Sequence, residues 1–104
     1  DYIDYFLNAP EIAHPHVVNL ETINRCNSTC EFCTANKNAE KRPYARMSEE
    51  LYYSIIDQLR DWNYKGHLTL YGNNEPWLDT RIVEFHKYAR KQLPDCFIFM
   101  STNL

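Results

Sequence analysis

Three cysteines fall within eight residues, CNSTCEFC over 26 to 33, with three residues between Cys26 and Cys30 and two between Cys30 and Cys33. Thiolates so closely spaced suit a metal. A structural zinc site closes a tetrahedron with four protein ligands, and no fourth cysteine or histidine lies at the usual spacing. Three cysteines on a short loop suit instead three irons of a [4Fe–4S] cluster, with one iron open to an outside ligand. An open position implies chemistry rather than scaffolding. The competing reading is a non-catalytic module, in which the same thiolates hold zinc or a cluster for structure or partner binding.

Two further stretches stand out, GNNEP at 72 to 76 and STN at 101 to 103, and the elements before them explain why. HVVNLETI, residues 16 to 23, is rich in β-branched positions and reads as a strand running into the cysteines. TANKNAEKRPYARM, residues 34 to 47, is polar, aperiodic and holds Pro43, as a loop does. From Ser48, a candidate N-cap, Leu51, Tyr52, Ile55, Ile56 and Leu59 recur at helical spacing, with Glu49 and Glu50 at the positive end of the dipole. Gly66 is expected to break that helix, and HLTLY, 67 to 71, alternates like a second strand. Asp79 is expected to cap a second helix reaching about Leu93, with Ile82, Val83, His86, Ala89 and Leu93 on one face and Pro94 as its stop. Residues 96 to 100, CFIFM, are dense in strand formers.

The order is β-α-β-α-β, with crossovers long enough for parallel pairing. Residues 1–15 form an N-terminal lead-in holding Pro10 and Pro15, with room for a short helical piece. In a parallel α/β sheet the loops after the strands share the C-terminal edge, where such folds place their ligands. CNSTCEFC, GNNEP and STN are thereby expected at one site. Cys96 and the histidines His14 and His16 start strands, at the far edge. Cys96 reads as a buried structural thiol, and the histidines as surface or packing residues.

Composition bounds these readings. The 104 residues are 44% hydrophobic and 24% charged, the balance of a soluble globular domain or a piece of one. A net charge of −3 argues against nucleic acid. No apolar run approaches the roughly 18 residues of a membrane span, and the start lacks the layout of a signal peptide, so the cytoplasm is the expected location. Three parallel strands cannot close a barrel, and a bare third strand would leave an apolar edge. Residues 16–104 are therefore expected to be the N-terminal part of a larger α/β domain.

The three motifs together resemble the radical S-adenosylmethionine (SAM) superfamily. Cys26, Cys30 and Cys33 match its CxxxCxxC motif, RCNSTCEFC is similar to the common RCNxxCxxC form, and Phe32 occupies the aromatic position before the last cysteine. Gly72, Asn73, Asn74, Glu75 and Pro76 resemble the glycine-rich GGEP motif, with Asn74 where many members have glycine. Ser101, Thr102 and Asn103 resemble the STNG sequence that ends the third strand. The resemblance implies a partial (β/α), TIM-barrel-like fold in which the three cysteines hold a [4Fe–4S] cluster. SAM would bind the open iron, and its reductive cleavage would yield a 5′-deoxyadenosyl radical that abstracts hydrogen from a substrate.

In that frame Phe32 offers a face for adenine. Gly72 permits positive φ, with Asn73 and Asn74 next best. Backbone carbonyls of the loop or the Glu75 carboxylate accept from the SAM amino group, and Pro76 fixes the exit to the second helix. Ser101, Thr102 and Asn103 face SAM or substrate, while Glu21, Asn24 and Arg25 brace the loop or face the cavity. The resemblance also implies an electron donor such as flavodoxin or ferredoxin. It leans toward peptide or protein substrates, set by regions outside this sequence.

Overall fold

The computed structural model describes residues 1–8, 14–33 and 41–103. The chain contains α1 (Tyr2–Asn8), β1 (Val17–Asn19), α2 (Glu49–Asp61), β2 (His67–Thr69), a 3₁₀ turn (Pro76–Leu78), α3 (Ile82–Gln92) and β3 (Phe97–Phe99). The strands form one parallel sheet in the order β1-β2-β3. Val17, His67 and Phe97 stand in register, as do Val18, Leu68 and Ile98. The β-α-β-α-β order is the one expected, but each strand keeps only three residues. At the end of β1 the chain continues the ladder through Leu20 N–H to the Thr69 carbonyl (2.8 Å), and Ile23 then pairs antiparallel with Arg46 instead of a sheet neighbour. The first part of the loop expected over 34–47 lies outside the described residues. The lead-in contains α1 and also extends beyond them.

The core lies between the sheet and the two crossover helices. Leu20, Leu68 and Leu70 point from the sheet into Tyr52, Ile56 and Leu59 of α2 and Ile82, Phe85 and Ala89 of α3. Burying each large side chain contributes roughly 1.5–3 kcal/mol. Tyr52 and Phe85 stack with ring centroids 3.9 Å apart, and the Tyr52 hydroxyl donates to the Phe85 carbonyl at 2.6 Å. Periodicity misjudged the rims of both helices. Leu51 and Val83 are exposed, while Phe85, on the inner face of α3, is buried. A stripe of period 3.6 leaves residues at its margin free to turn either way.

Helix ends follow local chemistry. The Ser48 hydroxyl accepts from Leu51 N–H at 3.1 Å, the expected N-cap. Gly66 does not end α2. Asn63 does, with φ of 53°, while the Asn63 and Tyr64 N–H groups reach back to the Arg60 and Leu59 carbonyls in a Schellman closure. Gly66 serves packing, because a Cβ there would collide with the Tyr64 hydroxyl and sit 2.6 Å from the His16 carbonyl oxygen. Asp79 stands three residues before α3. Its carboxylate pairs with Arg81 at 2.9 Å, its carbonyl accepts from Ile82 N–H, and no side chain caps the helix itself. The far edge of the sheet is closed by the Tyr64 hydroxyl on the His16 and His67 carbonyls, and by the buried Cys96 thiol on Gly66 O at 3.0 Å. Burial pushes the Cys96 thiol up, as befits the structural role expected of it.

Candidate functional site

The sheet's C-terminal edge carries a cavity of about 450 Å³, walled by all three loops. The first loop contributes Cys26, Ser28, Cys30, Phe32 and Cys33, the second Tyr71 to Glu75, and the third Ser101, Thr102 and Asn103. Every residue singled out by motif faces this cavity except Pro76. It is buried at the first position of the 3₁₀ turn, where its missing N–H costs nothing. Tyr71 escaped the motif reading. Alternation with Leu68 and Leu70 gives the signal, since it turns Tyr71 away from the core at the last position of the strand run.

The loops are laced together by bonds between residues far apart in sequence. Glu75 N–H donates to the Arg25 carbonyl at 3.0 Å, joining the second loop to the first. Glu21 accepts from Asn73 N–H at 3.1 Å, while Asn24 bonds to Pro43 and Ala45. Glu21, Asn24 and Arg25 thus brace the loops. Glu75 is only 3% exposed, yet it receives three donors: the Thr102 hydroxyl (2.6 Å) and Trp77 N–H (3.2 Å) at Oε1, and Asn103 N–H (2.9 Å) at Oε2. Burial alone would raise its pKa, but these donors outweigh burial and hold the carboxyl below the usual range. Glu75 is an ionised bracket between the ends of β2 and β3.

The same accounting reassigns the third loop. Thr102 and Asn103 spend hydrogen bonds on Glu75, and Ser101 donates to the Tyr71 hydroxyl at 3.1 Å. The positive φ expected in GNNEP is absent, since among the described residues Asn63 alone has one and neither glycine does. The loop turns instead through the Asn74 side chain, whose oxygen accepts from Gly72 N–H at 2.8 Å. Asn74 Nδ2 is left buried without a partner. Phe32 is 91% exposed, which rules out core packing and presents its ring at the cavity rim.

Around the thiols, Ser28 N–H lies 3.4 Å from Cys26 Sγ and its hydroxyl 3.1 Å from Cys30 Sγ. Among the described residues no group of three or more His, Cys, Asp or Glu side chains is gathered as a single metal ion would require. A cluster distributes its thiolates over separate irons. Three cysteines lining one cavity, with Ser28 N–H directed at Cys26 Sγ and the Ser28 hydroxyl in hydrogen-bond contact with Cys30 Sγ, fit that kind of group.

Solved structures carry the same architecture. The chain superimposes on BtrN in complex with AdoMet and 2-DOIA with a TM-score of 0.77 and 24% identity, over 85% of this chain and 35% of that one. The shared fold is the parallel β-α-β-α-β portion of an α/β, TIM-barrel-like form. Selenomethionine BtrN in an open conformation gives a TM-score of 0.72 at 23% identity, covering 85% of this chain and 38% of that one. The chain thus spans little more than a third of the BtrN length, and the parallel unit seen here is part of that larger α/β form. No protein-family profile matches the sequence, and neither does any curated protein. Among the described residues no helix is long and apolar enough to cross a membrane.

Proposed function

We propose that this chain forms the SAM-cleaving core of a radical SAM enzyme, with Cys26, Cys30 and Cys33 holding a [4Fe–4S] cluster. One observation carries the reading: three motifs far apart in sequence wall a single cavity on the ligand-binding edge of a fold shared with an AdoMet-bound protein. When bound, the cluster supplies the electron that cleaves a carbon–sulfur bond of SAM, generating a 5′-deoxyadenosyl radical that takes hydrogen from the substrate. The chain positions and shields that chemistry. The exposed Phe32 ring offers adenine a stacking face at the rim. With the Glu75 oxygens already receiving three internal donors, the backbone carbonyls of residues 72–74 are the acceptors for the SAM amino group. A low-potential donor such as flavodoxin or ferredoxin delivers the electron, and the motif forms lean toward a peptide or protein substrate.

Anaerobic reconstitution tests the reading against a zinc module. A brown protein containing iron and sulfide, with SAM cleavage under reduction, is expected. Cys26→Ala, Cys30→Ala and Cys33→Ala should each abolish both properties. One zinc per chain without iron or sulfide, or full iron loading in all three variants, would refute it.

A further inference from the structure

Asn103 makes contacts that the SAM-binding reading leaves unused. Its carboxamide Nδ2 donates to Asn27 Oδ1 at 2.9 Å and lies 3.9 Å from Cys26 Sγ, linking residues 76 and 77 positions apart. Its backbone N–H is fixed on Glu75 Oε2 at 2.9 Å. Glu75 is buried, ionised and held by the Thr102 hydroxyl and Trp77 N–H, so the amide sits on a rigid mount rather than a loose loop end. A short loop of small polar residues has little core contact to fix it; Asn27 is exposed and Cys26 half-buried. The end of β3 supplies that fixation from outside.

Resting on the radical SAM reading, we propose that Asn103 is a positioning residue for the first cluster thiolate. It clamps the loop through Asn27 and directs an amide dipole at Cys26 Sγ. Hydrogen-bond donors near a ligand sulfur stabilise the more negative, reduced state of a cluster and raise its potential. At Cys26 the Asn103 amide adds to Ser28 N–H. The third loop therefore tunes and orients the cluster, while the second loop and Phe32 face the cofactor.

EPR-monitored redox titration of the anaerobically reconstituted protein, without SAM, tests this independently of turnover. Asn103→Ala should shift the reduction equilibrium toward the oxidised form by about tenfold, equivalent to about 59 mV for a one-electron couple. Asn103→Asp, which adds negative charge beside the sulfur, should shift it further in the same direction. Should Asn103→Ala fail to fold, Asn27→Ala releases the clamp alone and should move the potential the same way by a smaller amount. Native potentials in cluster-loaded Asn103 variants, or in loaded Asn27→Ala where Asn103→Ala does not fold, would overturn the proposal and leave the enzyme reading intact. A native protein that takes up no cluster would overturn both.

Discussion

Replacing Glu75 with glutamine exchanges one carboxylate oxygen of the bracket for an NH₂ group and removes its charge, and should cost more than its conservative look suggests. The amide oxygen can still receive the Thr102 hydroxyl and Trp77 N–H at the Oε1 position, but the NH₂ group then faces the Asn103 N–H, a donor 2.9 Å away. One charge-assisted bond is lost, and two fall to neutral strength. With charged hydrogen bonds contributing ~1.5–3 kcal/mol each and neutral ones about half, the loss is roughly 3–6 kcal/mol at pH 7. For a domain of this size that lowers Tm by at least about 12 °C.

The pH dependence gives the sharper signature. Because the folded carboxyl titrates below its ordinary value of 4.5, its stabilisation is complete above that pH and is lost as pH falls through the lower folded value. The penalty of Glu75→Gln should therefore shrink in acid, where the parent protein loses the same charge. Urea unfolding followed by circular dichroism at pH 7 and in the acid range measures both. A loss below about 1 kcal/mol at neutral pH, or a penalty independent of pH, would show that the bracket is not held by charge.

The ion pair of Asp79 and Arg81 is almost wholly buried, and Arg81 also donates to the Met47 carbonyl and covers the Phe85 ring. Arg81→Met strands a buried carboxylate and should cost about 3–5 kcal/mol by urea unfolding at pH 7, easing in acid because burial raises the Asp79 pKa but its Arg81 bonds bring it below the ordinary value. Gly66→Ala drives a methyl against the Tyr64 hydroxyl and the His16 carbonyl, so a loss of about 1–3 kcal/mol in thermal unfolding is expected, with the three cysteines of the cavity untouched.

What could be read in advance was local. The helix of Glu49–Asp61 follows from the period of its apolar residues and the Ser48 cap, and the parallel order follows from crossover length. The meeting of three motifs follows from topology, because loops after parallel strands have one edge to share. Hidden from inspection were the choices decided by contacts distant in sequence. Glu75 looks like a free carboxylate until Thr102 and Asn103 arrive 27 and 28 residues later. Where the chain leaves β1 depends on Ile23 meeting Arg46, and the end of α2 on Asn63 outcompeting the more obvious Gly66. GNNEP has no positive φ, and the bond from Gly72 N–H to the Asn74 side-chain oxygen is a contact that residue types alone do not announce.

The reach from Asn103 back to Asn27 and Cys26 also sets an order of events during synthesis. At roughly 5–20 residues per second, about 4–14 s separate the emergence of Cys33 from that of Asn103. Throughout that interval the three thiols are on a growing chain whose bracket and clamp have not yet been made. Under the proposed cluster reading, those thiols have to stay reduced and free of stray zinc until the third strand docks, and iron delivery is expected only after β3 is in place.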